Sequence, residues 1–109
     1  MSALIAFTTL PDLESAVKLA DALVNARCAA CVHILPQGTS VYRWMEKIEH
    51  AEEVTLLMKT TQAMYPMLER RVLENHPYDL PEIIAVPVTH GLPGYLDWIS
   101  KETVGAAQL

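Results

Sequence analysis

Along "IEHAEEVTLLM", residues 48 to 58, every second side chain falls into one set: Ile48, His50, Glu52, Val54, Leu56 and Met58. A period of two is the mark of a β-strand, and the run is about twice the usual strand length of five to six residues. Its second half, "VTLLM", is apolar on both sides and needs cover on two faces. The preceding "TSVYRW" can pair with its polar first half across a turn at "MEK". A hairpin this long projects beyond a small domain and carries a charged tip at Lys47, Glu49, Glu52 and Glu53.

The other elements follow from local pattern. "ALIAFTT", residues 3 to 9, is an apolar run suited to a buried strand, ended by "LPD". Leu13, Ala16, Val17, Ala20, Leu23 and Val24 recur at helical spacing, which predicts an amphipathic helix over residues 12 to 27 with Asp12 at its N-terminus. "ACVHIL" predicts the next strand. Pro36 and Gly38 in "PQG" predict a kink or bulge between it and "TSVYRW". "TTQAMYPMLERRVLENH" predicts a second helix with Met64, Leu68 and Val72 on its inner stripe. Thr60 or Thr61 is its expected cap, and Pro66 fits only in its first turn. "HPYDLP" reads as a loop, "EIIAVPVT" as a strand with Pro87 favouring an edge, "PGYLDWISKE" as a last helix, and "TVGAAQL" as a frayed tail.

The order β-α-β-β-α-β plus a C-terminal helix is that of an α+β, ferredoxin-like split β-α-β sandwich, a single domain over residues 1 to 109. Both helices on one face leave the other face of the sheet needing cover. Apolar residues make up 51% of the chain, high for a monomer of this size, so self-association is the expected cover.

Charge and composition remove several function classes. The net charge is −5 with no Lys/Arg cluster, which argues against nucleic-acid binding. No stretch approaches the roughly 20 apolar residues of a bilayer span, and the N-terminus lacks the basic flank of a signal peptide. The expectation is a cytoplasmic protein. Cys28 and Cys31 form C-x-x-C where a helix ends and a strand begins. That place lacks the helix N-terminus that acidifies a redox thiol, and no second pair completes a zinc site, so core thiols are the favoured reading. No nucleophile–base motif, phosphate loop or dinucleotide fingerprint is present, and four glycines leave little to build one from. Nothing argues for an enzyme.

Taken together, "ARCAACVHILPQGTSVYRW", "EVTLLMKT", "HPYDLPEIIAVPVTHG" and "YLDWI" resemble, in order and spacing, the CutA divalent-cation tolerance family along nearly the whole chain. The resemblance implies a ferredoxin-like subunit assembled as a homotrimer, long strands of one copy extending the sheet of the next. It also implies association with copper and other divalent cations, without a settled biochemical activity. Some bacterial members carry Cys at the position of Thr8 and a His-His pair where this chain reads Asn75-His76. Thiol and imidazole suit copper, and of that set this chain keeps His76. Many members also place Gly in the hairpin turn where Glu46 stands. If that position needs positive φ, the side chain costs on the order of 1 kcal/mol.

His76 is thus the candidate metal ligand, held on a stiff corner by Pro77. His90 joins it only if loop and strand end meet, while His33 and His50 read as half-exposed strand residues. A second set, Tyr42, Trp44, Lys59, Tyr78, Glu82 and Trp98, lies at element ends. These six are candidates for a small-ligand cleft, with Lys59 holding an anion between aromatic walls, or for an interface in which Lys59 pairs with Glu82. The leading expectation is a trimeric protein of divalent-cation tolerance that binds copper weakly. The alternatives are a PII-like signalling trimer taking a metabolite in inter-subunit clefts, and an adaptor whose tips, at Glu49, Glu52 and Glu53, dock another protein.

Overall fold

A computed structural model describes residues 2–103. Its elements are β1 (Ala3–Leu10), α1 (Leu13–Asn25), β2 (Cys31–Ile34), β3 (Gly38–Trp44), β4 (Lys47–Thr61), α2 (Tyr65–Asn75), β5 (Ile84–Pro87) and α3 (Pro93–Thr103). The sheet order is β2-β4-β1-β5, with β3 also paired to β4, and all pairings are antiparallel. This is the expected split β-α-β arrangement twice over: β1 and β2 flank β4, and β4 and β5 flank β1. Pro87 ends β5, an edge strand, where its missing N–H costs no ladder bond.

β4 is the spine. Val54 to Thr61 pair with β1 along one edge and Leu56 to Lys59 also with β2 along the other, whereas Lys47 to Glu53 pair only with β3. The outer part is therefore a bare two-stranded ribbon, and the molecule's longest dimension is 44 Å. The long hairpin read from the alternation is present. Val54, Leu56 and Met58 are buried, while Ile48, His50 and Glu52 on the same phase are exposed. Ile34 stands opposite Leu56 and Gly38 opposite Glu53, so residues 35–37 face only residues 54–55. One extra residue is a β-bulge, the device that "PQG" predicts.

The helix layer packs Leu19 and Leu23 of α1 and Leu68 and Val72 of α2 on Ala6, Leu10, Leu56 and Met58. Burying each large side chain stabilises by roughly 1.5–3 kcal/mol. Asp12 caps α1 as expected, its carboxylate accepting from the Ser15 N–H at 2.7 Å. The predicted apolar stripe of α1 needs correction: Leu13, Val17 and Val24 are exposed, and Leu19 is buried. The docked stripe is Ala16, Leu19, Ala20 and Leu23, whose two alanines let the helix approach the sheet closely. The helix closes with Arg27 in the left-handed region (φ 60°). There the Arg27 and Cys28 N–H groups donate to Val24 and Leu23 carbonyls, a Schellman end.

Neither threonine caps α2. β4 runs through Thr60 and Thr61, and the buried Thr60 hydroxyl donates to the Cys28 carbonyl at 2.7 Å. Thr61 accepts from the Met64 N–H before the helix begins, and Pro66 falls in the first turn. On the opposite face of the sheet, α3 covers one end through Ile99 against Ala3 and Ala30. The rest of that face keeps Ile84 and Val86 exposed. The tail read as frayed lies outside the described residues beyond Thr103. No helix among the described residues is long and apolar enough to cross a membrane.

Candidate functional site

The chain after α2 turns at His76, whose extended backbone (φ −95°, ψ 138°) is the conformation a following proline imposes. The Tyr78 N–H can only donate, so the His76 Nδ1 that receives it at 3.1 Å carries no proton. The Thr9 carbonyl can only accept, so the proton sits on Nε2, 2.7 Å away. His76 therefore clips the loop to the end of β1. Burial pushes its pKa down, opposed by the Thr9 carbonyl and the Glu53 charge.

Two residues on, the Tyr78 ring lies 4.8 Å from the His76 ring, and its hydroxyl donates to Glu53 on β4 at 2.8 Å. Burial first, then this bond and the nearby Glu53 charge, push the Tyr78 phenol up to about 12. One chain of contacts thus joins the ends of β1 and α2 to the root of the hairpin.

Between hairpin and loop lies a cavity of about 590 Å³. Tyr42 and Trp44 form its β3 wall, Glu53 its floor on β4, and Tyr78, Asp79 and Glu82 its loop wall. The bulge makes this possible. In β2 the odd-numbered Cys31 and His33 face with Lys59 and Leu57, but in β3 the even-numbered Tyr42 and Ser40 face with Glu49 and Ala51. Without the extra residue Tyr42 and Trp44 would fall on the other face of the ribbon; Val41 also borders the cavity, and Arg43 does not.

The six cleft candidates divide. Tyr42, Trp44, Tyr78 and Glu82 meet at the cavity; Lys59 and Trp98 do not. Lys59 Nζ sits 5.7 Å over the Tyr95 ring, which lies 5.5 Å from Trp98 and 3.7 Å from Cys31 Sγ through its hydroxyl. Within one chain Lys59 is therefore apart from the cavity that Glu82 lines, because six residue steps along β4 set it about 20 Å from Glu53 on the cavity floor. Sequence reasoning missed Glu53 and Asp79 as cavity residues and Tyr95 as the partner of Lys59. The phase of β4, which puts Glu53 on the face of Lys59, was the available signal for the first.

His90 bonds its neighbour Thr89 at 3.1 Å and lines neither described cavity. His33 and His50 are exposed rather than half-exposed. Cys28 is buried and Cys31 half-buried, both unbridged. Among the described residues no three His, Cys, Asp or Glu side chains converge as a metal-holding group. At His76 both ring nitrogens are bonded, Asn75 spends its amide N–H on the Arg71 carbonyl (2.8 Å), and the Thr8 hydroxyl is fully buried in the core. A lone engaged imidazole with oxygen and amide neighbours does not fit the thiol–imidazole mode of copper binding.

The CutA1 divalent ion tolerance protein profile matches residues 4–102. The divalent-cation tolerance protein CutA of Thermus thermophilus is 46% identical over 95 residues, covering 87% of this chain and 92% of that protein. The mouse protein CutA is 44% identical over 98 residues, covering 90% of this chain but 55% of its own length. The crystal structure of CutA from Xylella fastidiosa superposes with a TM-score of 0.92 at 46% identity, covering 94% of this chain and 99% of that one. This chain belongs to the CutA1 divalent ion tolerance family.

Proposed function

We propose that this protein serves divalent-cation tolerance in the cytoplasm as a homotrimer without catalytic chemistry. It meets copper or another divalent cation weakly, through surface carboxylates rather than a preformed cage. The observation that supports self-association is the exposure of Val41, Tyr42, Trp44, Met45 and Ile48 on the ribbon and of Ile84 and Val86 on the uncovered sheet face. Bare ribbon edges and apolar sheet faces are surfaces that other strands cover. Two unbridged thiols suit a reducing compartment. Sedimentation equilibrium tests the assembly: the wild type should run at three times the chain mass, and Ile84→Glu should shift it towards monomer. Copper titration with a His76→Ala control tests the metal reading. Weak binding that survives the substitution supports it, and tight binding lost with His76 overturns it.

The cavity favours a second reading, a PII-like signalling trimer that senses a small metabolite. A thermal-shift screen against nucleotides and organic acids separates the two, because a ligand that binds only the folded protein raises the melting midpoint. No stabilisation by any of them leaves the tolerance reading alone.

A further inference from the structure

We infer that the cavity between the hairpin and the loop after α2 is half of a joint between copies of this chain, and that Lys59 of the next copy completes it by pairing with Glu82. The pairing rests on the homotrimer reading and adds to it which groups meet. Glu53, Asp79 and Glu82 line the cavity, with no Lys or Arg among its lining residues. Lys59 has the opposite deficit: its ammonium lies over the Tyr95 ring, 5.7 Å from the centroid. Among the described residues the one ion pair within 4 Å is Arg27–Glu102. Neither Lys59 nor the cavity carboxylates therefore has an oppositely charged partner within its own chain.

The sheet register places Lys59 where a covering copy has to come. Lys59 stands opposite Ile5 on β1, and Ile5 stands opposite Val86 on β5, so the three form one row across one face. Val86 is exposed, and at two strand spacings it lies about 10 Å from Lys59. Cover over Ile84 and Val86 therefore reaches Lys59 and the exposed rings of Tyr95 and Trp98 beside it. Burying an unpaired ammonium is strongly unfavourable, so the covering surface must bring a carboxylate with it. The ribbon and loop supply both halves of the match, Tyr42 and Trp44 for the rings and the cavity carboxylates for the charge. Glu53 already accepts from Tyr78, Asp79 is one methylene shorter, and Glu82 is exposed two residues before the edge strand β5. Unlike patches that fit each other but sit apart on one chain join copies head to tail, and such contacts close into a ring.

The test is zero-length carbodiimide coupling of the wild-type chain, with the dimer and trimer bands of a denaturing gel digested and mapped by tandem mass spectrometry. The expected product is an amide between Lys59 Nζ and the Glu82 carboxylate in the inter-chain bands. Lys59→Arg keeps the charge without the coupling amine, so it should lose that product while sedimenting as the wild type does. Lys59→Glu sets like charges together and should weaken association at least tenfold, and adding Glu82→Lys to it should restore the trimer. A wild type that runs at three times the chain mass without a coupled Lys59–Glu82 peptide overturns the pairing alone. So does a Lys59→Glu variant that is folded by circular dichroism and associates as tightly as the wild type, or a folded double reversal no tighter than Lys59→Glu. A wild type that stays monomeric overturns the homotrimer reading and the pairing with it.

Discussion

The hairpin tip is strained, and relieving it should be measurable. Met45 and Glu46 join β3 to β4 with φ of 49° and 66°, both in the left-handed region that a two-residue type I′ turn requires. A side chain with a Cβ pays about 1–2 kcal/mol there, and glycine does not. Glycine also gives the unfolded chain roughly 0.5–1 kcal/mol more entropy to lose, so the net gain expected for Glu46→Gly is about 0.5–1 kcal/mol. Glu46→Ala is the control, because alanine keeps the Cβ and should change little. The ribbon beyond Glu53 pairs only with itself, so it can open while the core stays folded. Trp44, one residue before the turn, reports that opening in the Trp98→Phe background. Urea unfolding at fixed protein concentration should move the Trp44 transition upward for Glu46→Gly relative to Glu46→Ala, with an unchanged slope. Equal or lower stability of the glycine variant would show that the turn is not limited by left-handed strain.

Three further outcomes follow from single groups. His76 is held neutral in the folded protein, its pKa lying below the ordinary histidine value. Its contribution to stability should be complete above about pH 6.5 and lost as pH falls below that. Urea midpoints between pH 7 and 5 should show this slope, reduced in His76→Gln. Tyr78, pushed up to about 12, should appear as a late phase in tyrosinate absorbance, absent in Tyr78→Phe. Below pH 10 its stabilisation is intact, and it should fade as pH rises towards 12. Thr60→Val leaves the Cys28 carbonyl without its buried partner and should cost about 1–3 kcal/mol in chemical denaturation.

Much of the fold was legible because its signals are local. The Asp12 cap, Pro66 in a first turn, the extended backbone of His76 and the long alternation of β4 each depend on a few neighbouring residues. The caps assigned to Thr60 and Thr61 failed because a buried ladder position for both outweighed their capping preference. The docked face of α1 was read partly wrong because its apolar residues span more than one stripe, and only the sheet chooses among them. The family was legible from four matched stretches, the cavity only in part: Tyr42, Trp44, Tyr78 and Glu82 share it, whereas Lys59 and Trp98 lie elsewhere.

The sequence by itself determined the order of the elements and the need to cover a two-faced apolar sheet, since period and composition require no partner to be read. Tertiary structure decided the chemistry. One extra residue at the bulge set Tyr42 and Trp44, and not Arg43, on the cavity wall. The loop clipped by His76 brought Tyr78 to Glu53, while strand length carried Lys59 away. The charge of the cavity follows from those placements, because electrostatic sign depends on which groups share a space and not on how many the chain contains.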